Sequence, residues 1–391
     1  MNIAIIDADL ISRSKHRFPN LACMKISGYY KEQGHSVSLK TDYNNLGAYD
    51  KVFISKVFTD TLIDEDILTL PNVEYGGTGF FYDKAPALPD EIEHYMPDYH
   101  LYDDWVNEKL NDGINDDDDK EEIIKKRRKD FLYYLDYSIG FMTRGCFRQC
   151  EFCVNKNYTR VYTHSPLSEF VDTSRKKICL LDDNFLGSQE WKSMLLELQA
   201  LGKPFQFKQG LDERILTDEK CELLFSSKYD GDYIFAFDNI EDKDVIEKKA
   251  RLIRHYCKNK GNNIKFYVLC AFDRQNKYDD DFWRQDIIDT FERIFILAKY
   301  NFKPYIMRFE KYRTSPLYGT YVNFAKWCNQ PSLFLNMSYK TICEKDDLRK
   351  CGGKGTSSTY RYYVELREFD TCFDKYLDVV PKDLILDYSN W

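Results

Sequence analysis

Thr143-Arg144-Gly145-Cys146-Phe147-Arg148-Gln149-Cys150-Glu151-Phe152-Cys153 carries three cysteines at a four-then-three spacing. The apolar run Tyr137–Met142 just before it reads as a buried strand, so the cysteines fall in a loop at a strand's C-terminal end. Three thiols on one loop are a ligand set. A structural zinc takes four ligands, usually as two pairs, and no second pair follows. An iron–sulfur cluster held by four cysteines is a closed electron carrier, whereas three leave one iron open to chemistry. Arg144, Arg148, Gln149 and Glu151 crowd the loop with polar groups, which argues against incidental core cysteines.

Outward from this loop a rhythm appears. Six β-type runs, Tyr137–Met142, Lys177–Leu181, Pro204–Phe207, Tyr233–Phe237, Ile264–Leu269 and Pro304–Phe309, alternate with helical patterns. Those patterns cover Leu167–Ser174, Gln189–Leu201, Asp218–Ser227, Lys243–Cys257 and Asp281–Tyr300. Strand starts lie roughly 27–40 residues apart, the spacing of a repeated βα unit. Six units are two short of a closed eight-fold barrel, so either a partial barrel or an open sheet results. Both put their chemistry at the C-terminal strand ends.

Upstream, residues 1–80 predict a small doubly wound, Rossmann-like α/β domain. Its strands are Met1–Ile6, Val37–Leu39, Asp50–Ser55 and Asn72–Tyr75, and a helix runs from Pro19 to Tyr30. Residues 81–136 read as a linker punctuated by Pro86, Pro89 and Pro97. They hold a charged helix in which the acidic run Asp116–Asp119 precedes Lys125–Lys129, as the helix dipole prefers. Residues 312–391 read as an irregular, aromatic-rich extension, with Cys328, Cys343, Cys351 and Cys372 too widely spaced for a compact cluster motif.

The Cys146-x3-Cys150-x2-Cys153 spacing, with Phe152 before the last cysteine, resembles the signature of the radical S-adenosylmethionine superfamily. The resemblance spans about residues 137–311. It implies an α/β fold with a partial (β/α)6 core barrel, preceded here by a domain of the cobalamin-binding type. It also implies that Cys146, Cys150 and Cys153 hold a [4Fe–4S] cluster and that S-adenosylmethionine is cleaved reductively to start radical chemistry on an unidentified substrate, a methylation or a rearrangement. Where the family has a Gly-Gly-Glu-like turn, this chain has Asp182-Asp183-Asn184, which the resemblance assigns to the methionine end of the cofactor. Gln209, Arg214, Asp238 and Asp273 follow strands three to five and are candidates for the ribose, the methionine carboxylate or substrate; Phe152 is the candidate beside adenine. A helix-capping role is open to each Asp. The family's cobalt-ligating Asp-x-His-x-x-Gly phrase is missing, since the loop reads Asp7-Ala8-Asp9-Leu10-Ile11-Ser12, yet the resemblance still admits cobalamin. The electron would come from a low-potential donor such as a flavodoxin or ferredoxin. An iron–sulfur electron-transfer protein and a zinc-stabilised module are the alternatives.

Composition narrows the field further. With 391 residues, the chain is too long for one ordinary domain. A formal net charge of −8 does not suit bulk binding of nucleic acid or of an anionic membrane. No apolar run is long enough to span a bilayer, and the first residues lack the basic start of a secretory leader. Twelve cysteines without a secreted framework point to a reducing cytoplasm.

Overall fold

A computed structural model describes residues 1–115, 119–155, 157–257 and 263–388. The chain forms two compact units: Met1–Glu190 with Glu197–Phe205, and Trp191–Leu196 with Gln206–Trp391.

The first unit opens with a four-stranded sheet of β1 (Asn2–Asp7), β2 (Ser36–Leu39), β3 (Lys51–Ser55) and β4 (Val73–Gly76). All pairings are parallel, in the order β2-β1-β3-β4. Side chains alternate across a strand, and β1 shows the result. Ile3 and Ile5 enter one core with Phe53, while Ala4 and Ile6 enter another with Val52 and Ile54. The first core is closed by α1 (Leu21–Glu32), whose N-cap Asn20 accepts from the Cys23 amide at 3.3 Å and which buries Cys23, Met24 and Ile26.

Residues 81–136 are not a detached linker. Tyr99, Leu101, Tyr102, Val106, Leu110 and Tyr134 are buried in that same core. Within this stretch lie α2 (Asp103–Asn111) and α3 (Lys120–Arg127). The charged helix forms as expected, with Asp119 as N-cap and a Lys126–Glu122 pair at 2.8 Å; Asp116, Asp117 and Asp118 lie outside the described residues.

The unit continues with β5 (Tyr137–Gly140), a two-stranded ribbon of β6 (Thr143–Arg144) and β7 (Tyr162–Thr163), and β8 (Lys177–Leu180). β5 and β8 are parallel, with Tyr137 opposite Lys177 and Gly140 opposite Leu180. The outer edge of β5 is sealed by one tyrosine: the Tyr99 hydroxyl accepts from the Ile139 amide at 2.7 Å and donates to the Phe170 carbonyl at 2.6 Å. An open edge left bare would invite mispairing. After α4 (Trp191–Ala200), which the division between units crosses, β9 (Phe205–Phe207) completes the β5-β8-β9 order.

The second unit carries α5 (Asp218–Ser226), β10 (Tyr233–Ala236), α6 (Lys243–Tyr256), β11 (Ile264–Cys270), α7 (Asp280–Lys299) and β12 (Lys303–Arg308). β10, β11 and β12 form a parallel sheet in chain order. Along β11 every second residue, Ile264, Phe266, Val268 and Cys270, is buried. Helix α7 buries Trp283, Ile287, Phe291, Ile294 and Leu297, a stripe at helical spacing. All six expected strands form, as parts of two three-stranded sheets, so the architecture is mixed α/β with parallel pairing.

Residues 312–388 are largely helical rather than irregular. They form α8 (Tyr318–Cys328), α9 (Tyr339–Cys351) and α10 (Ser358–Phe369). Aromatic side chains that read as irregular are the packing surface: Tyr321, Phe324 and Trp327 of α8 are fully buried. Just past α8, Asn329 seals the edge of β12, accepting from the Ile306 amide at 2.7 Å. Cys328 and Cys343 are buried between these helices, the default expectation for them. No helix among the described residues is long and apolar enough to cross a membrane.

Burial sets a pH dependence. Desolvation pushes the Asp7 and Asp182 carboxyls up to about 7, and Glu213 in the second unit up to about 8. A raised folded-state pKa contributes stability that is complete below the ordinary carboxylate range and is lost as pH rises through the folded value. Desolvation also lowers His16 and His164 to about 4, so their contributions run the other way, growing as pH rises to about 6.5. Between about pH 4 and 6.5 the histidines offset part of the carboxyls' loss; above 6.5 the histidine contribution is complete and the carboxyls' loss continues. Unfolding midpoints in denaturant are expected to fall from pH 6.5 to 8, and Asp7→Asn should flatten the fall. A midpoint that rises across that window contradicts this assignment.

Candidate cluster-binding site

The three cysteines sit on one hairpin. It leaves the sheet just beyond β5, is pinched at its base where Thr143 pairs with Thr163 and Arg144 with Tyr162, and returns toward β8. Gly145 opens the excursion with φ +87°, and a Cβ there would collide with the Arg160 carbonyl oxygen. Gln149, at φ +52°, turns the chain between Cys146 and Cys150, and its side chain donates to the Tyr158 carbonyl. The Cys153 amide then donates to the Cys150 carbonyl at 3.0 Å. Cys146, Cys150 and Cys153 are partly exposed, and all twelve cysteines are free thiols.

The chemistry of the donor set fits a thiolate-bound cluster. N–H groups point at sulfur: Arg148 N and Asn184 Nδ2 lie 3.4 Å from Cys146 Sγ, and Asn155 N lies 3.4 Å from Cys153 Sγ. Such donors stabilise negative charge on sulfur. Among the described residues, no three His, Cys, Asp or Glu side chains converge as ligands of a single metal ion must. A cubane takes its thiolates at separate corners.

The segment after β8, Asp182-Asp183-Asn184, lies beside this hairpin, in the position the sequence predicts. Its hydrogen bonds describe an anchor. Asp182, with no exposed surface, accepts from the Thr143 amide at 2.6 Å, the Thr143 hydroxyl at 2.7 Å and the Met142 amide at 3.3 Å. Asp183 spans the cysteines, accepting from Gly145 N at 3.0 Å on one side and Asn155 Nδ2 at 2.5 Å on the other. Both carboxylates thus hold the hairpin in place. Asn155 does not stand out by residue type, whereas Gly145 is marked as a glycine directly before the first cysteine.

Asp183→Ala leaves the buried Gly145 amide without its acceptor, a cost of about 1–3 kcal/mol. The reconstituted variant should lose iron to a chelator about tenfold faster than wild type, with Asp183→Asn in between; equal rates in all three would refute the clamp.

The N-terminal part of this unit reaches the hairpin. Asn157 Nδ2 donates to the Asp83 carbonyl at 2.6 Å. At the hairpin's base, Lys25 of α1 pairs with Glu93 at 2.9 Å, and His164 lies 3.4 Å from the same carboxylate. Arg144 stacks on Phe141, 4.2 Å from the ring centroid.

The remaining sequence candidates fall in the second unit, apart from Phe152, which is half-buried on the hairpin. Arg214 is held by Asp212 at 2.9 Å and Asp242 at 3.5 Å, and these carboxylates raise its pKa despite burial. Asp238 accepts from the Leu269 amide at 3.1 Å and ties β10 to β11. Asp273 accepts from the Lys277 amide at 2.5 Å, closing its own turn. Gln209 is exposed just past β9. Sequence reading missed Arg293, a buried residue of α7 that donates to the carbonyls of Phe237, Asp238 and Leu269 at 3.1, 2.8 and 2.7 Å. It also missed Asp286, which accepts from the Ala271 amide at 2.8 Å and the Tyr321 hydroxyl at 2.7 Å. An Arg and an Asp in mid-helix give no sign that they serve strand ends.

Cobalamin fits poorly at the natural crevice of the N-terminal sheet, between β1 and β3 where strand order reverses. The chain's own side chains fill that place. Tyr102 donates to Asp7 at 2.8 Å, Asn20 donates to Ser55 at 2.9 Å, and His16 is bonded to Tyr134 at 2.5 Å. Asp9 accepts from the Val57 amide at 2.7 Å and from Thr61. Asp7, Asp9, Asn20, Ser55, Tyr102 and Tyr134 are all buried. Hydroxocobalamin mixed with the protein should stay free on gel filtration; co-elution at one per chain would overturn this.

No family model matches the sequence, and no curated protein matches it. Among solved structures the chain is similar to two of OxsB and one of SuiB. One is apo, SeMet-labelled OxsB, a cobalamin-dependent S-adenosylmethionine radical enzyme, at 12% identity over 74% of this chain and 51% of that one, with a TM-score of 0.43. OxsB with aqua-cobalamin bound aligns over 99% of this chain and 58% of that one at 12% identity and a TM-score of 0.35. SuiB of Streptococcus suis aligns over 58% and 57% at 11% identity and a TM-score of 0.29. The chain spans little more than half the length of these structures. At such scores the likeness is loose, and the functional reading rests on the chain's own residues.

Proposed function

We propose that the chain is a radical S-adenosylmethionine enzyme. The observation that carries this is the display of Cys146, Cys150 and Cys153 on one pinched hairpin beyond β5, with amide donors aimed at the sulfurs of Cys146 and Cys153. Cys146, Cys150 and Cys153 would hold a [4Fe–4S] cluster with one iron free of protein ligands, and such a cluster would supply the electron for reductive cleavage of S-adenosylmethionine. The protein's task is to hold the thiolates, orient the cofactor and keep water out. Asp182 and Asp183 fix the hairpin on the segment after β8. Phe152 on the hairpin is the group we assign to the adenosyl part. The electron comes from a low-potential carrier of the flavodoxin or ferredoxin kind, and the thiols call for a reducing compartment such as the cytoplasm.

An iron–sulfur electron carrier is the competing reading. It lacks an open iron, so S-adenosylmethionine would leave its spectrum untouched. The reduced, reconstituted protein should change its electron paramagnetic resonance signal when S-adenosylmethionine is added. An unchanged signal at saturating concentration would favour the carrier.

A further inference from the structure

Cys146 receives hydrogen bonds from two separate segments of the chain. It accepts from two N–H groups, and only one belongs to the hairpin. Arg148 N is a neighbour along the chain, whereas Asn184 Nδ2 comes from the segment after β8. Asn184 is 2% exposed and is followed by the buried Phe185 and Leu186. Gly187 packs where a Cβ would press on both the Phe147 ring and the Asn184 side chain. Asp182 and Asp183, the two residues before Asn184, lock that segment to both sides of the cysteine run. The donor is therefore held at a fixed distance from the sulfur by its own neighbours and needs no ordering when a cluster binds.

We propose that Asn184 is a positioning residue that raises the reduction potential of the cluster through Cys146. This rests on the proposed function above. Reduction adds one electron to the cluster and places more negative charge on its thiolate sulfurs. A hydrogen bond to sulfur is stronger in that state, so it favours the reduced form. Asn184 thus acts on the electron acceptor. Its neighbours keep the amide dipole aimed at sulfur.

The test uses the full chain, reconstituted with iron and sulfide, as wild type, Asn184→Leu and Asn184→Asp. Leu matches the size without a donor. Asp keeps the shape and replaces the donor by a carboxylate oxygen. Iron content and the reduction midpoint are read by spectroelectrochemical titration without S-adenosylmethionine. Both variants are expected to bind wild-type iron and to titrate at a more negative potential. At a fixed potential the reduced-to-oxidised ratio should drop about tenfold, which for one electron is about 59 mV. Midpoints equal to wild type would overturn the inference. So would loss of iron from both variants, since that would make Asn184 a plain structural support. Failure of wild type itself to take up a cluster would instead sink the proposed function, so the two failures are distinct.

Discussion

Protein carrying Cys146→Ala, Cys150→Ala and Cys153→Ala together will reconstitute without brown colour and with essentially no bound iron, against about four irons per wild-type chain. The effect is complete because the hairpin supplies the three thiolates: Asp182 and Asp183 accept from amides of the hairpin, and Cys328 and Cys343 of the helical tail are buried. The fold should survive. The three side chains are partly exposed, and the hairpin's closure rests on backbone pairing and on Asp183. Far-ultraviolet circular dichroism and the unfolding midpoint check that the loss is local. Retention of about four irons in the triple variant would remove the basis for the functional reading.

Gly145→Val is expected to do nearly as much damage with every thiol in place. The residue holds φ at +87°, a region costing a β-branched residue on the order of 1–3 kcal/mol. The new side chain would also strike the Arg160 carbonyl, across the strands that close the hairpin. Arg144 could then not stay opposite Tyr162, and Cys146 would leave its register with Cys150 and Cys153. Iron binding should fall to a small fraction of wild type. Iron analysis and the visible absorbance of the reconstituted variant are the readouts; wild-type loading would show that the hairpin base does not set the ligand geometry.

Much of this was legible locally. The six strands announced themselves because β-branched and aromatic runs such as Ile264–Leu269 alternate with long helical patterns such as Asp281–Tyr300. The cysteine loop stood out because its spacing lies within eight residues. What could not be read depends on partners far apart in the chain. Tyr99 serves Ile139 forty residues on, and Tyr102 serves Asp7 ninety-five residues back, so a proline-broken segment concealed a piece of the core. By composition the tail reads as irregular, being rich in Tyr, Phe and Trp. Their helical spacing at Tyr321, Phe324 and Trp327 was the better signal. Asp182 and Asp183 were placed correctly beside the hairpin, but whether a carboxylate faces a ligand or an amide is decided by tertiary geometry. Asn155, the partner of Asp183 across twenty-eight residues, carries no mark in sequence at all.

The measurement that bears most directly on the account is anaerobic turnover of the reconstituted protein with S-adenosylmethionine and dithionite, read by mass spectrometry. The account predicts 5′-deoxyadenosine and methionine in equal amounts from wild type and neither from the triple cysteine variant. A wild-type protein that carries about four irons, is fully reduced and yet forms no 5′-deoxyadenosine would contradict it.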